Sequence, residues 1–211
     1  MKLSELDVLR SLCRESFEDF CREFWHTVVS EELIWNWHMT VMCEELQQMA
    51  ERIFAGLPKL YDLVINVSPG SSKSTIVSIM FPAWCWTRMP TFRFIGASYA
   101  YPLALDLSRK CRDVIKSDLY KQCFPDVELR EDQDTKGYFV TSKGGQRFST
   151  GSCGAVTGMH GHCIGIDDPI DPNRAVSEVE MYQINNWIKQ TLSSRKVDRR
   201  IAPMILVMQR L

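Results

Sequence analysis

The sequence predicts an α/β chain with a mainly parallel sheet flanked by helices and a helical extension at its N-terminus. Two observations carry that expectation. Apolar, β-branched runs alternate with helical periodicity from Leu63 to Ile115, in the order strand, helix, strand, helix. Two further apolar runs, CIGIDDP at Cys163–Pro169 and PMILVMQRL at Pro203–Leu211, read as buried strands of the same sheet.

Taken in order, Leu3 to Trp25 places Leu6, Leu9, Leu12, Phe17, Phe20 and Phe24 at helical spacing, which predicts one or two amphipathic helices. Glu32 to Ile53 reads as helix again, opening on the aromatic stretch Ile34, Trp35, Asn36, Trp37, His38 and closing at Gly56 and Pro58. Asp62–Val67 reads as a buried strand, followed by a small-residue loop and a helix over Ser74–Trp86. Phe92–Ser98 predicts a second strand and Pro102–Ile115 a second helix. Ser117 to Thr135 is polar and irregular. GYFVTSKGGQRFSTG then reads as a hairpin turning at Gly144 and Gly145. A helix is expected over Ser177–Leu192, with Ser177 and Glu180 forming a capping box. The expected division is a helical region over 1–55 and a core over 56–211.

Composition excludes several classes. The 211 residues suit one domain, and 45% hydrophobic with 24% charged content is that of a soluble globular chain. The 25 basic and 26 acidic residues nearly cancel, so a nucleic-acid partner would have to be met by local patches such as Arg109, Lys110 and Arg112, or Arg195, Lys196, Arg199 and Arg200. No run has the length of a membrane span, and the charged N-terminus lacks the apolar segment of a secretory signal. The 8 scattered cysteines then read as free thiols in a reducing cytoplasm. Cys153, His160, His162 and Cys163 are zinc-ligand types, but their C-x6-H-x-H-C spacing fits no finger pattern.

The chemistry centres on Leu63–Thr75, LVINVSPGSSKST. Strand, tight loop and helix N-terminus form the local grammar of a phosphate-binding loop, in which backbone N–H groups and the helix dipole attract an anion. The match to G-x-x-x-x-G-K-[ST] is imperfect, because the two glycines fall on Val67 and Ser72. If position 72 needs a positive φ, serine there costs on the order of 1 kcal/mol. Ser68, Pro69, Gly70, Ser71, Ser72, Lys73, Ser74 and Thr75 are the expected nucleotide-binding residues. Ligands of parallel α/β sheets sit at the carboxyl ends of strands, which would bring Asp167, Asp168 and Gln209 to the same crevice. Lys73 would neutralise β/γ-phosphate charge, and Ser74 with Asp167 would hold Mg2+. Asp168 would orient or deprotonate the attacking water, and Gln209 would sense the γ-phosphate. Trp35 would stack on a purine base, with Asn36 or His38 reading its edge.

The order of these segments resembles the N-terminal packaging ATPase domain of the large terminase subunit of tailed bacteriophages. The matching stretches are WNWHMTVMCEEL, SPGSSKST, FIGASYAYPLALDLSRKCRDVI, GGQRFSTGSCGAVTGMHGHCIGIDDPIDP and ILVMQRL, spanning Trp35 to Leu211. The resemblance implies a RecA-like, additional-strand P-loop ATPase that uses ATP and Mg2+ to drive double-stranded DNA into a procapsid. It implies a portal protein and a small terminase subunit as partners, a homopentameric ring, and a virus-encoded, non-virion protein of the host cytoplasm. Lys73 and Ser74 then belong to Walker A, Asp167 to Walker B and Asp168 to the catalytic carboxylate, while Met208–Leu211 corresponds to the coupling motif. Trp35 and His38 fall in the adenine-contacting region. The chain departs from the family in Gly70 and Ser72, where an arginine and a glycine are usual, and in Met159, where an arginine is common. Asp168 also stands where Glu is commoner. An arginine finger is therefore expected from Arg147, with Arg109 in reserve. The family's nuclease half is absent, its ATPase lid is incomplete, and the strand at Leu211 reads as the end of a fragment. A nucleotide-binding module with little hydrolysis and a helicase-like DNA ATPase are the alternatives.

Overall fold

The computed structural model describes residues 4–171 and 177–209. Helices α1 (Glu5–Glu15) and α2 (Phe17–Phe24) are each opened by a serine, Ser4 and Ser16, whose hydroxyl accepts a backbone N–H of the first turn. Helix α3 (Trp37–Phe54) starts later than the sequence suggests. The Asn36 side chain accepts the Trp37 N–H at 2.8 Å from an extended backbone, so 32–36 lies outside the helix.

Among the described residues seven strands follow: β1 (Leu63–Val67), β2 (Arg93–Ser98), β3 (Leu129–Asp134), β4 (Tyr138–Thr141), β5 (Gln146–Gly151), β6 (Cys163–Asp167) and β7 (Met204–Gln209). They form one sheet in the order β1-β7-β6-β2-β5-β4-β3. The pairings from β1 through β5 are parallel, and β4 and β3 close that side as an antiparallel extension. Strand β7 is inserted between β1, which carries the loop, and β6, which carries Asp167. This is the additional-strand arrangement. Helices α4 (Phe81–Arg88), α5 (Tyr101–Lys116), α6 (Asp118–Cys123) and α7 (Glu178–Asn186) complete the alternation, with Ser177 capping the last.

Two expectations need correcting. The run before the loop is not a fully buried strand: β1 is the outermost strand, and its exposure alternates, with Val64 64% exposed. Ser117 to Thr135 is not irregular, because it contains α6 and β3. Strand β3 is hard to read in the sequence, since LREDQD lies at the far sheet edge with no residue fully buried. Its last residue, Asp134, pairs instead with Arg112 at 3.1 Å and with Lys116 of α5.

The core explains why the loop helix is held firmly. Phe17, Phe20, Phe24, Phe81, Trp84 and Tyr120 are all fully buried in one cluster. The Trp84 indole donates to the Cys13 carbonyl at 3.0 Å, and the Tyr120 hydroxyl donates to the Ala83 carbonyl at 2.8 Å. Helices α1, α2 and α6 thus clamp α4, which continues the helix opened at Lys73.

Candidate active site

Strand β1 ends at Val67, and the chain turns through Ser68–Ser72 before the helix begins at Lys73. The turn needs two left-handed residues, Gly70 at φ 76° and Ser72 at φ 61°. Glycine meets that requirement at no steric cost, whereas serine carries a Cβ into a region unfavourable for L-residues. The conformation of the loop is therefore kept without the usual glycine. It is braced from outside by His38, whose Nε2 lies 3.1 Å from the Ser71 carbonyl oxygen. Lys73, only 6% exposed, sits at the first helical position.

Asp167 lies at the carboxyl end of β6, 2% exposed. Ser74 Oγ donates to its Oδ1 at 3.1 Å and Ser78 Oγ to its Oδ2 at 3.1 Å. Burial raises the Asp167 pKa to about 6; the two hydroxyls and Lys73 oppose that rise, and neighbouring Asp168 adds to it. Asp168 follows with φ 45°, a conformation that Asp tolerates better than most residues. Its backbone and side chain are both fastened to neighbouring strands. The Asp168 N–H donates to the Val207 carbonyl at 2.8 Å, its Oδ1 accepts the Gln209 N–H at 3.1 Å, and its carbonyl accepts the Tyr99 N–H at 2.9 Å.

The structure therefore brings Lys73, Ser74, Asp167, Asp168 and the Gln209 backbone to one end of the sheet. Arg210 and Leu211 of the expected coupling motif lie outside the described residues. Arg147 has to be corrected. It is 1% exposed, its Nη1 donates to the Ser78 carbonyl at 2.6 Å, and its guanidinium lies 5.2 Å from the Phe94 ring. Burial lowers its pKa, while Cys111 and Asp167 pull it back up. A side chain held this way is an internal cation beneath the loop helix, not a finger reaching a phosphate.

Trp35 is corrected too. Its indole N–H donates to Thr40 Oγ1 at 2.9 Å and the Arg22 guanidinium covers one face of its ring at 4.3 Å, so that face and the indole donor are engaged within the helical region. Trp37, 76% exposed, lies beside a cavity of about 220 Å3 lined by His38, Val41, Met42 and β1. The Asn36 cap places Trp37 at the first helical position, a boundary that sequence reasoning missed. Ser78 was missed as well; its signal is the spacing of four from Ser74, which puts both hydroxyls on one helix face.

The donor set fits a small hard cation. Mg2+ is ordinarily held by one or two carboxylates and hydroxyls together with phosphate oxygens and waters, and a buried carboxylate at a loop of this kind suits it. Two of the zinc-type residues are engaged otherwise: His162 Nδ1 accepts the Arg93 N–H at 2.9 Å and Cys163 is buried within β6. Among the described residues no group of three His, Cys, Asp or Glu side chains converges on one point, and no helix is long and apolar enough to cross a membrane.

The fold is α/β, a mainly parallel sheet in which β7 is inserted between the strand that carries the loop and the strand that ends on Asp167. No protein-family model and no curated protein matches the chain. Solved structures of the large terminase from a thermophilic bacteriophage are similar to it. One crystal form aligns at TM-score 0.47 and 11% identity, covering 76% of this chain and 38% of that one. The complex with ADP aligns at TM-score 0.40 and 13% identity over 76% and 38%. The complex with ATP-gamma-S aligns at TM-score 0.35 and 11% identity over 75% and 44%. The chain thus spans less than half the length of these structures.

Proposed function

We propose that this chain is the ATP-hydrolysing motor domain of a viral DNA-packaging terminase. The observation that carries the reading is the contact of Ser74 with Asp167, which joins the loop to the acidic strand end at the mouth formed by Lys73 and Asp168. ATP would lay its phosphates along the backbone N–H groups of 70–74, with Lys73 neutralising charge on the β and γ groups. Ser74 and Asp167 would hold Mg2+, which supplies charge stabilisation to the transferred phosphoryl group. Asp168 would orient a water for in-line attack on the γ-phosphorus and take its proton as the bond to the ADP oxygen breaks. The link from Asp168 Oδ1 to the Gln209 N–H gives the β7 end a direct reason to move when that carboxylate changes its partners. With Arg147 buried, an arginine finger would come from Arg109, exposed on α5, or from a neighbouring copy in a ring. The motif order further supports double-stranded DNA, a portal and procapsid, a small terminase subunit and a pentameric ring as the working context.

One observation favours a second reading. Ser72 at φ 61° strains the nucleotide loop, as expected of a module that binds nucleotide but turns it over slowly while docking DNA or portal. A γ-phosphate release assay on the protein with double-stranded DNA, portal and small subunit separates the two. Turnover abolished by Lys73→Ala supports the motor. Tight binding with no turnover in the assembled complex would leave the second reading standing.

A further inference from the structure

The helix behind the phosphate loop departs from regular α geometry, and the sequence supplies a cause. Pro82 has no N–H to return to the Ser78 carbonyl four residues earlier, and its ring would crowd that carbonyl in an ordinary turn. The segment Thr75–Met80 is instead π-helical, a local widening often found at functional sites. The Ser78 carbonyl accepts from Arg147 Nη1 at 2.6 Å, while the same residue's hydroxyl donates to Asp167 Oδ2 at 3.1 Å. Ser78, Arg147 and Asp167 come from three different elements and are 4%, 1% and 2% exposed.

We propose that Ser78, clamped by Arg147, is a positioning residue that fixes the Asp167 carboxylate with Oδ1 turned to Ser74. A carboxylate held by one donor can swing about its last torsion, whereas donors on both oxygens define its plane. Ser74 alone leaves that freedom, and Ser78 removes it from the opposite side. The guanidinium matters because a serine on a widened turn has no fixed height along the helix. The bond from Arg147 to the Ser78 carbonyl sets that height, and Arg147 is itself held against Phe94 of β2. The sheet thus positions Asp167 twice, once through β6 and once through β5, Arg147 and Ser78. The inference rests on the nucleotide reading, with Asp167 as the carboxylate that meets Mg2+.

The test is a Mg2+ titration of nucleotide binding by the whole 211-residue chain. Binding of a fluorescent ADP and the thermal shift it produces are read for the parent, Ser78→Ala, and the equal-volume pair Ser78→Thr and Ser78→Val. Removing the hydroxyl is expected to raise the Mg2+ concentration needed for half-maximal stabilisation by about tenfold, as for other groups that orient a metal ligand. Binding of ADP without Mg2+ should stay within about twofold of the parent, because that affinity comes from the loop. Ser78→Thr should behave as the parent and Ser78→Val as the alanine variant, so the hydroxyl is read even where alanine does not fold. A parent that binds Mg2+–ADP alongside Ala and Val variants with unchanged Mg2+ dependence would overturn the positioning role alone. A folded parent that binds no nucleotide at any Mg2+ concentration would remove the nucleotide reading and this role together.

Discussion

Ser74 Oγ and Asp167 Oδ1 lie 3.1 Å apart although 93 residues separate them in the chain. The carboxylate at the far end of that contact is buried, and burial raises its pKa to about 6, so its ionised form is disfavoured by the fold. Stability and activity should therefore move in opposite directions at this residue. Asp167→Asn keeps the shape, and the two serine hydroxyls can rotate to suit an amide. The expected result is a protein more stable than the parent at pH 7 by about 1–3 kcal/mol, from the relieved charge burial. ATP turnover should fall by about 10²-fold or more, because a ligand of the phosphate-bound cation is lost. Denaturant titration and phosphate release measure the two quantities. A destabilised variant would mean that the ionised carboxylate is favoured in the folded state.

Ser72 sits at φ 61° where the loop pattern calls for glycine. Ser72→Gly removes a left-handed penalty of about 1–2 kcal/mol and returns about 0.5–1 kcal/mol of unfolded-state entropy. A net gain of about 0–1.5 kcal/mol in unfolding free energy is expected. If strain also limits turnover, phosphate release rises with it. An unchanged rate in a stabilised loop would place the limit elsewhere in the site.

How much of this was legible depended on burial and on partners. The loop, β6 with the two aspartates at its end and β7 were readable because apolar runs ending in polar residues carry their meaning locally. Strand β3 was not, because a sheet-edge strand without a fully buried residue carries no apolar period. Arg147 shows the harder limit. Nothing in GGQRFSTG says whether its arginine faces solvent or the core, since that depends on the Ser78 carbonyl, 69 residues away in the chain and deprived of its usual donor by Pro82. The aromatic stretch lay between these extremes: helix was legible there, but where it begins, and so where Trp35 and Trp37 lie, turned on one capping residue.

The burial of Arg147 separates a structural role from a finger. Arg147→Ala leaves a cavity and an unpaired Ser78 carbonyl, so it should lower unfolding free energy by about 3 kcal/mol or more. A finger residue, being solvated before nucleotide arrives, would lose turnover with its melting temperature unchanged. Thermal melts and phosphate release on the same preparation distinguish the two, and an unaltered melt would return Arg147 to the candidate fingers.

Trp35 and Trp37 should respond oppositely. Trp35 is packed between Arg22 and Thr40, so Trp35→Ala is expected to cost about 2–4 kcal/mol of stability and to change nucleotide affinity little. Trp37 is largely exposed beside the cavity, so Trp37→Ala should leave the melt within about 0.5 kcal/mol of the parent. Loss of one stacked base contact would weaken ADP binding by about 1 kcal/mol, roughly fivefold. Equal affinities in the Trp37 variant and the parent would exclude the ring from base contact.

His162 gives the fold a defined acid sensitivity. Its Nδ1 accepts the Arg93 N–H at 2.9 Å, its ring lies alongside Phe92, and burial, aided by the Arg93 charge, lowers its pKa from 6.5 to about 4. The unfolded chain therefore binds a proton between those values that the folded chain refuses. The stability supplied by the neutral ring is complete above pH 6.5 and is lost as pH falls through about 4. Because Asp167 titrates in the same range with the opposite sign, the readout is the difference between the parent and His162→Asn, whose amide oxygen can still accept the Arg93 N–H. Denaturant midpoints at pH 7.5, 6, 5 and 4.5 should fall more steeply in the parent than in the variant. Parallel curves would show that His162 is free to protonate within the fold.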